Sequence, residues 1–171
     1  SVMTNRGAVE FKNDEILLDN GESLQSDLTI LSVGIQPETS LAKSAGIKLG
    51  LRNAILVDEH YETSVKDIYA VGDAIVVKNQ LGQDALISLA SPANRQGRQV
   101  ADIISGLPVK NRGSLGTAIV RVFDLQVAST GLSEFQLRGL KIDHKIVHVT
   151  ANNHAGYYPD ATSIVLKLIF E

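Results

Sequence analysis

The chain has 171 residues, 44% of them hydrophobic, and carries 16 basic against 19 acidic side chains for a net charge of -3. That length and apolar content suffice for one buried core or two small ones, while the slight acidic excess argues against the electrostatic footprint of a nucleic-acid binder. No apolar run approaches the roughly 18 residues of a membrane span, no signal-peptide pattern follows Ser1, and the absence of cysteine excludes disulfide and thiolate chemistry within these residues. A cytoplasmic location, with no membrane or nucleic-acid partner, is the simplest expectation.

Residues 1–57 open with strand-like pieces at Ala8–Phe11 and Glu15–Leu18, the second ending in the turn signal Asp19-Asn-Gly21. Leu28–Val33 is a near-continuous apolar run and predicts a strand, with Gly34 to Pro37 as its exit loop. Thr39 or Ser40 is placed to cap a short helix through Ala45, stopped by Gly46. The glycine-rich G-x-G-x-x-G loop of a dinucleotide site is absent from this stretch.

Residues 58–110 hold the densest cluster of signals. Asp58 to Thr63 lead into a turn at Ser64–Asp67, and Ile68-Tyr-Ala-Val71 then reads as a strand covered on both faces, because it shows no polar alternation. Gly72 and Asp73 follow at the strand's carboxyl end, where open α/β sheets place their ligands. Gly72 permits close backbone approach. Asp73 offers two acceptor oxygens suited to sugar or ribityl hydroxyls, although Gly-Asp after a strand is also an ordinary turn. Asn79–Asp84 is polar, contains Gly82, and reads as an exposed hairpin or loop.

A helix opens next. Ser91 has the side chain of an N-cap and Pro92 suits the first helical position. Val100, Ile103 and Ile104 supply an apolar stripe, and Gly106 with Pro108 ends the segment. The unpaired N–H groups expected around Pro92 to Asn94 favour negative charge. An ordinary capped surface helix fits the same residues, and Arg95 with Arg98 reads as a solvated face.

The character changes after Gly106 to Gly116, the expected boundary. Thr117–Phe123, Leu125–Thr130, His144–Thr150 and Ser163–Phe170 are β-branched or alternating runs. Between the second and third lies a short helix with a Ser133/Gln136 capping box, ended by Gly139. This β-β-α-β-β order predicts an antiparallel sheet with helical cover. His144 and His148 have a helical metal-ligand spacing, but the segment reads as a strand and no third ligand lies close by.

Ile68-Tyr-Ala-Val-Gly-Asp-Ala74 followed by Ser91-Pro-Ala-Asn-Arg-Gln-Gly97 resembles the second FAD-binding segment of the two-dinucleotide flavoprotein reductases. With His154-Ala-Gly-Tyr-Tyr-Pro159 downstream, the chain is similar to the coenzyme A-disulfide reductase and NADH oxidase branch of the pyridine nucleotide-disulfide oxidoreductases. The resemblance implies an α/β plus α+β architecture: part of a two-dinucleotide-binding flavoprotein fold, followed by the start of an antiparallel α+β dimerisation domain. It divides the chain into the end of an NAD(P)H-binding domain and its return strand (1–57), the second FAD segment (58–110) and the first part of the dimerisation domain (111–171). It also implies that the chain is an internal piece of a longer enzyme.

By the same resemblance Gly72 and Asp73 hold the ribityl chain of FAD. Leu89, Ala90, Ser91 and Pro92 lie beneath the isoalloxazine ring and at its N1–C2 carbonyl edge. One phenol of Tyr157 and Tyr158 reaches the redox cysteine of the partner subunit in a homodimer. Successive side chains on an extended segment point to opposite faces, so only one of the pair is expected to do so, and the sequence leaves open which. Asp160 departs from the commoner family form, which has glycine there. The implied parent is an FAD-dependent NAD(P)H oxidoreductase in which hydride passes from nicotinamide to flavin. Electrons then pass to an upstream cysteine and on to coenzyme A disulfide or a related disulfide or persulfide. An NADH oxidase or peroxidase, or a persulfide reductase with an added rhodanese domain, fits the same residues. So does a non-catalytic binding or dimerisation module, if the 171 residues act alone.

Overall fold

A computed structural model describes residues 2–171, which divide into two compact units, Ser1–Ile35 and Gln36–Glu171. The first unit is an antiparallel meander of β1 (Ala8–Phe11), β2 (Glu15–Leu18) and β3 (Ser23–Gln25), with β2 in the centre. The predicted turn at Asp19–Gly21 links β2 and β3. Gly21 adopts φ 84° and donates its N–H to the Leu18 carbonyl, a conformation glycine accepts without strain.

The expected strand at Leu28–Val33 does not form. Residues 28–33 have no regular secondary structure, and Leu28 is 80% exposed and Val33 87% exposed. A strand exists only through a ladder to a neighbour, and this run has no paired neighbour among the described residues. Its apolar pattern therefore reports a demand for burial that is not met here.

The second unit begins with α1 (Ser40–Ser44). Thr39 stands at the N-cap position but does not cap the helix; its hydroxyl donates to the Asn53 carbonyl at 2.8 Å. The Glu38 carboxylate takes over part of the capping role, accepting the Ser40 N–H at 2.8 Å. Gly46, at φ 74°, reverses the chain as anticipated.

The core of this unit is small and local. Tyr61, Ile75 and Val77 are buried, and Ile55, Val57, Tyr69, Ala70, Val71, Ala85, Ile87, Val100 and Ile103 pack against them. Complete burial of side chains such as Tyr61 and Ile75 stabilises the fold by about 1.5–3 kcal/mol each. Ile68–Val71 is not the doubly covered strand its composition suggests: Ile68 is exposed, and Tyr69 makes a single antiparallel bridge to Glu62. The fully buried apolar run lies slightly later, at Ile75–Val77, where Ile75 bridges in parallel to Ile55. A short hairpin follows, β4 (Val77–Lys78) with β5 (Asp84–Ala85). Its turn is held by the Asn79 side-chain oxygen, which accepts the N–H groups of Leu81 and Gln83.

The main helix, α2, runs from Ala90 to Ile104. It starts earlier than its sequence suggests. Leu89 is the N-cap and no side chain caps it, so Ser91 and Pro92 lie within the first turn. Ala93 already donates its N–H to the Leu89 carbonyl. The free donors therefore sit at Ala90 and Ser91 rather than at Pro92 to Asn94, because Pro92 has no N–H. Val100 and Ile103 reach the core, but Ile104 is exposed and is not part of the buried stripe. Gly106, at φ 85°, closes the helix, its N–H on the Ile103 carbonyl.

Residues 117–171 form β6 (Ala118–Val122), β7 (Leu125–Ser129), α3 (Glu134–Gly139), β8 (Lys145–Asn152) and β9 (Ser163–Phe170). The order matches the expectation, but the strands make two separate antiparallel hairpins, β6–β7 and β8–β9, instead of one sheet. The capping box is present: the Ser133 hydroxyl accepts the Gln136 N–H, and the Gln136 side chain accepts the Ser133 N–H. The helix ends at Gly139 as expected, and the left-handed residue beyond it is Lys141, at φ 56°. Glu134 ties α3 to β9, pairing with Lys167 and with Arg138. The Lys167 ammonium, and then Arg138, hold the Glu134 carboxyl below its usual range.

Candidate functional site

The Gly72–Ala74 turn is a short 3-10 helix entered from extended backbone at Val71. Gly72 takes φ 81°, a conformation that strains residues with a Cβ. Its N–H donates at 2.6 Å to Oε1 of Gln96, on the second turn of α2. A Cβ at Gly72 would lie 3.8 Å from that of Ala93, so turn and helix are in close contact. Asp73 is exposed and its carboxylate has no protein partner among the described residues. The site thus joins a free carboxylate acceptor, a left-handed glycine turn and a helix whose first N–H groups carry no side-chain cap.

This donor set fits a flavin dinucleotide. The unpartnered Asp73 oxygens suit a hydroxylated chain, and the uncapped start of α2 at Leu89, Ala90 and Ser91 suits an electron-rich carbonyl edge. Pro92 is buried at that same start, where it adds rigidity and no donor.

Two elements hold α2 in place besides apolar packing. Gln96 is 3% exposed. Gln99 accepts the Tyr61 hydroxyl at 2.7 Å through its Oε1, and burial pushes the Tyr61 phenol up, with Arg95 opposing. Sequence reasoning missed Gln96. The signal was present: Gln96, Val100 and Ile103 share an i, i+4, i+7 stripe, which places one glutamine on a buried face.

A cavity of about 170 Å³ lies nearby, lined by Asn79, Gln80, Arg95, Arg112, Gly113, Ser114 and Leu115. None of the predicted cofactor residues lines it. Arg95 is not simply a solvated side chain, because its Nη2 donates to the Gly113 carbonyl at 2.9 Å.

Tyr157 and Tyr158 occupy the loop between β8 and β9, closed at its base by Asn153 and Thr162. Both are exposed, their ring centroids lie 5.1 Å apart, and His154 meets Tyr158 edge-on at 6.1 Å. Their aromatic neighbours are thus each other and His154, and the loop offers them outward. Asp160, in the same loop, adopts φ 63°, the region where glycine is at ease. His148 lies in β8 opposite Lys167, while His144 precedes the strand with Nδ1 on the Ile142 carbonyl. Among the described residues no group of three or more histidine, cysteine, aspartate or glutamate side chains is arranged to hold a metal, and no helix is long and apolar enough to cross a membrane.

Residues 1–97 match the family described as pyridine nucleotide-disulphide oxidoreductase, and residues 117–171 match its dimerisation domain. The chain belongs to this family. It is 35% identical over 155 residues to the NAD(P)H sulfur oxidoreductase (CoA-dependent) of Pyrococcus furiosus, covering 90% of this chain and 35% of that protein. It is 34% identical over 160 residues to the coenzyme A disulfide reductase of Staphylococcus aureus strain JH9, covering 92% of this chain and 36% of that protein. Among solved structures, reduced CoADR-RHD of Bacillus anthracis shares 49% identity and a TM-score of 0.88, over 97% of this chain and 30% of that one. The chain therefore spans about a third of the length of the curated relatives it matches. The fold is accordingly that of the two-dinucleotide-binding flavoprotein reductases, continued into their dimerisation domain.

Proposed function

We propose that this chain supplies the second FAD-binding segment and the start of the dimerisation domain to a flavin-dependent NAD(P)H oxidoreductase. The electron acceptor is coenzyme A disulfide or a related disulfide or persulfide. Its division is 1–57 for the end of the NAD(P)H-binding domain, 58–110 for the FAD segment and 111–171 for the dimerisation domain. The observation that carries the reading is Asp73, a free carboxylate on the Gly72 turn beside the uncapped N-terminus of α2. When bound, the flavin supplies the two-electron relay between reduced nicotinamide and the disulfide.

In this reading Asp73 accepts hydrogen bonds from the ribityl hydroxyls. The Ala90 and Ser91 N–H groups stabilise negative charge at the flavin's carbonyl edge, and Leu89 and Pro92 wall the ring. The chain has no cysteine, so the redox thiol belongs outside these residues. Tyr157 or Tyr158 donates a hydrogen bond toward that thiol from the partner copy of a homodimer. Their exposure on the β8–β9 loop supports a role directed outward. The relatives named as sulfur oxidoreductase and coenzyme A disulfide reductase favour a sulfur substrate. A relative named NADH oxidase, from Methanocaldococcus jannaschii and 34% identical, supports oxygen as the second candidate.

The test is Asp73→Ala in the whole enzyme. Losing a charge-assisted acceptor costs about 1.5–3 kcal/mol, so flavin affinity measured by titrating FAD into the apoenzyme should fall by one to two orders of magnitude. Asp73→Asn, which keeps one acceptor, should fall less. Wild-type affinity in both variants would sink the flavin reading.

A further inference from the structure

The Gly72–Asp73 turn is held by one polar contact to α2, and that contact comes from a residue buried almost completely. Gln96 is 3% exposed and lies on the helix face that also presents Val100 and Ile103 to the core. An apolar side chain would fill such a position at lower cost, since a buried carboxamide must find partners. The partner it finds is the Gly72 N–H, at 2.6 Å. That N–H belongs to a residue held at φ 81°, and no strand ladder includes it. Without Gln96 the donor would be left with no protein acceptor among the described residues.

We propose that Gln96 is a positioning residue of the flavin site. Its carboxamide locks the left-handed Gly72 turn onto α2, and so fixes the Asp73 carboxylate relative to the uncapped helix start at Ala90 and Ser91. The inference rests on the flavin reading and adds to it the device that registers its two halves. Asp73 is the very next residue along the chain, so a rotation at Gly72 moves it directly. The Ala90 and Ser91 donors lie within two helical turns of Gln96 on the same rigid element. A second glutamine, Gln99, makes the comparable bond to Tyr61, but that bond anchors the helix to the core and bypasses the turn. The two bonds can therefore be separated by experiment.

The test compares Gln96→Met, Gln96→Glu, Tyr61→Phe and Asp73→Ala in the whole flavoenzyme, reading FAD affinity of the apoenzyme, its melting temperature and backbone hydrogen exchange at Gly72. Gln96→Met keeps the length and removes the strong acceptor, and should weaken FAD binding by about tenfold, with faster exchange at Gly72. Gln96→Glu keeps an acceptor oxygen in the same place and should restore most of the affinity. Tyr61→Phe should lower the melting temperature while leaving FAD affinity at the wild-type value. If Gln96→Met binds FAD normally while Asp73→Ala does not, the positioning role is wrong and the flavin site stands. If both bind normally, the flavin reading fails and takes the proposal with it. If Tyr61→Phe loses as much affinity as Gln96→Met, the glutamine is only structural. If Gln96→Met does not fold, Gln96→Glu decides alone: slow Gly72 exchange with near-wild-type affinity upholds the role, and fast exchange or lost affinity overturns it.

Discussion

Residues 55–110 and residues 117–171 are both rich in apolar side chains but meet opposite fates. The first stretch closes on itself: Tyr61, Ile75 and Val77 are buried, and α2 covers them with Val100 and Ile103. The second makes two well-paired hairpins whose side chains stay open, with Ile119, Val127, Val149 and Leu166 all exposed. Backbone pairing in β8–β9 extends over eight residue pairs, so the ladder between the two strands is fully formed while burial is not. Isolated two-stranded hairpins are marginal in water. A ladder between two strands can form within a short segment, whereas an apolar face needs another layer.

A pair of truncations measured by chemical denaturation separates the two regions most strongly. Ile75→Ala removes methylenes from a site only 1% exposed, and should cost about 2–5 kcal/mol. Val149→Ala, at a position 47% exposed, should stay within about 0.5 kcal/mol. If the second substitution costs as much as the first, the hairpin face is covered in solution and the contrast collapses.

A smaller effect sharpens the boundary between the two regions. Gly113 has φ 74°, and a Cβ there would lie 2.3 Å from the Lys78 carbonyl oxygen. The Ser114 N–H donates to that same carbonyl at 2.9 Å, and the Asn111 N–H donates to the Glu59 carbonyl. The segment after α2 is therefore pinned to the first region. Gly113→Ala combines left-handed strain with a backbone clash and should cost about 2 kcal/mol, seen as a lowered melting temperature. An unchanged melting temperature would mean that the segment moves freely.

The legible parts of the fold were those decided by local chemistry. Ser133 and Gln136 announce their capping box, Asn79 and Gly82 their turn, and Gly46 and Gly106 their helix ends, because each motif satisfies its own backbone groups. What sequence reading missed depends on remote partners. Leu28–Val33 and Ile75–Val77 are both apolar runs, but only the second meets a packed layer. The start of α2 shifted for a similar reason. Leu89 can take the N-cap position without a polar side chain, which leaves Ser91 inside the helix. At the candidate site, the turn at Gly72 was readable from its glycine and the helix after it from its apolar stripe. For Gln96 the stripe shared with Val100 and Ile103 marks a buried position, but its partner was not readable, because that bond spans 24 residues.

The smallest effect concerns the loop that offers Tyr157 and Tyr158. Asp160 sits at φ 63°, where a side chain costs about 1–2 kcal/mol, less for aspartate than for most residues. Glycine removes that strain but adds about 0.5–1 kcal/mol of unfolded-state entropy. The net change for Asp160→Gly should be a gain of about 0.5 kcal/mol, read as a slightly raised melting temperature. Asp160→Ala keeps the Cβ and loses the polar group that eases left-handed backbone, so it should lower stability by about 1 kcal/mol. Opposite signs for the two variants would show that backbone conformation governs this position. Equal losses would instead show that the aspartate side chain itself holds the loop, and the tyrosines it carries, in place.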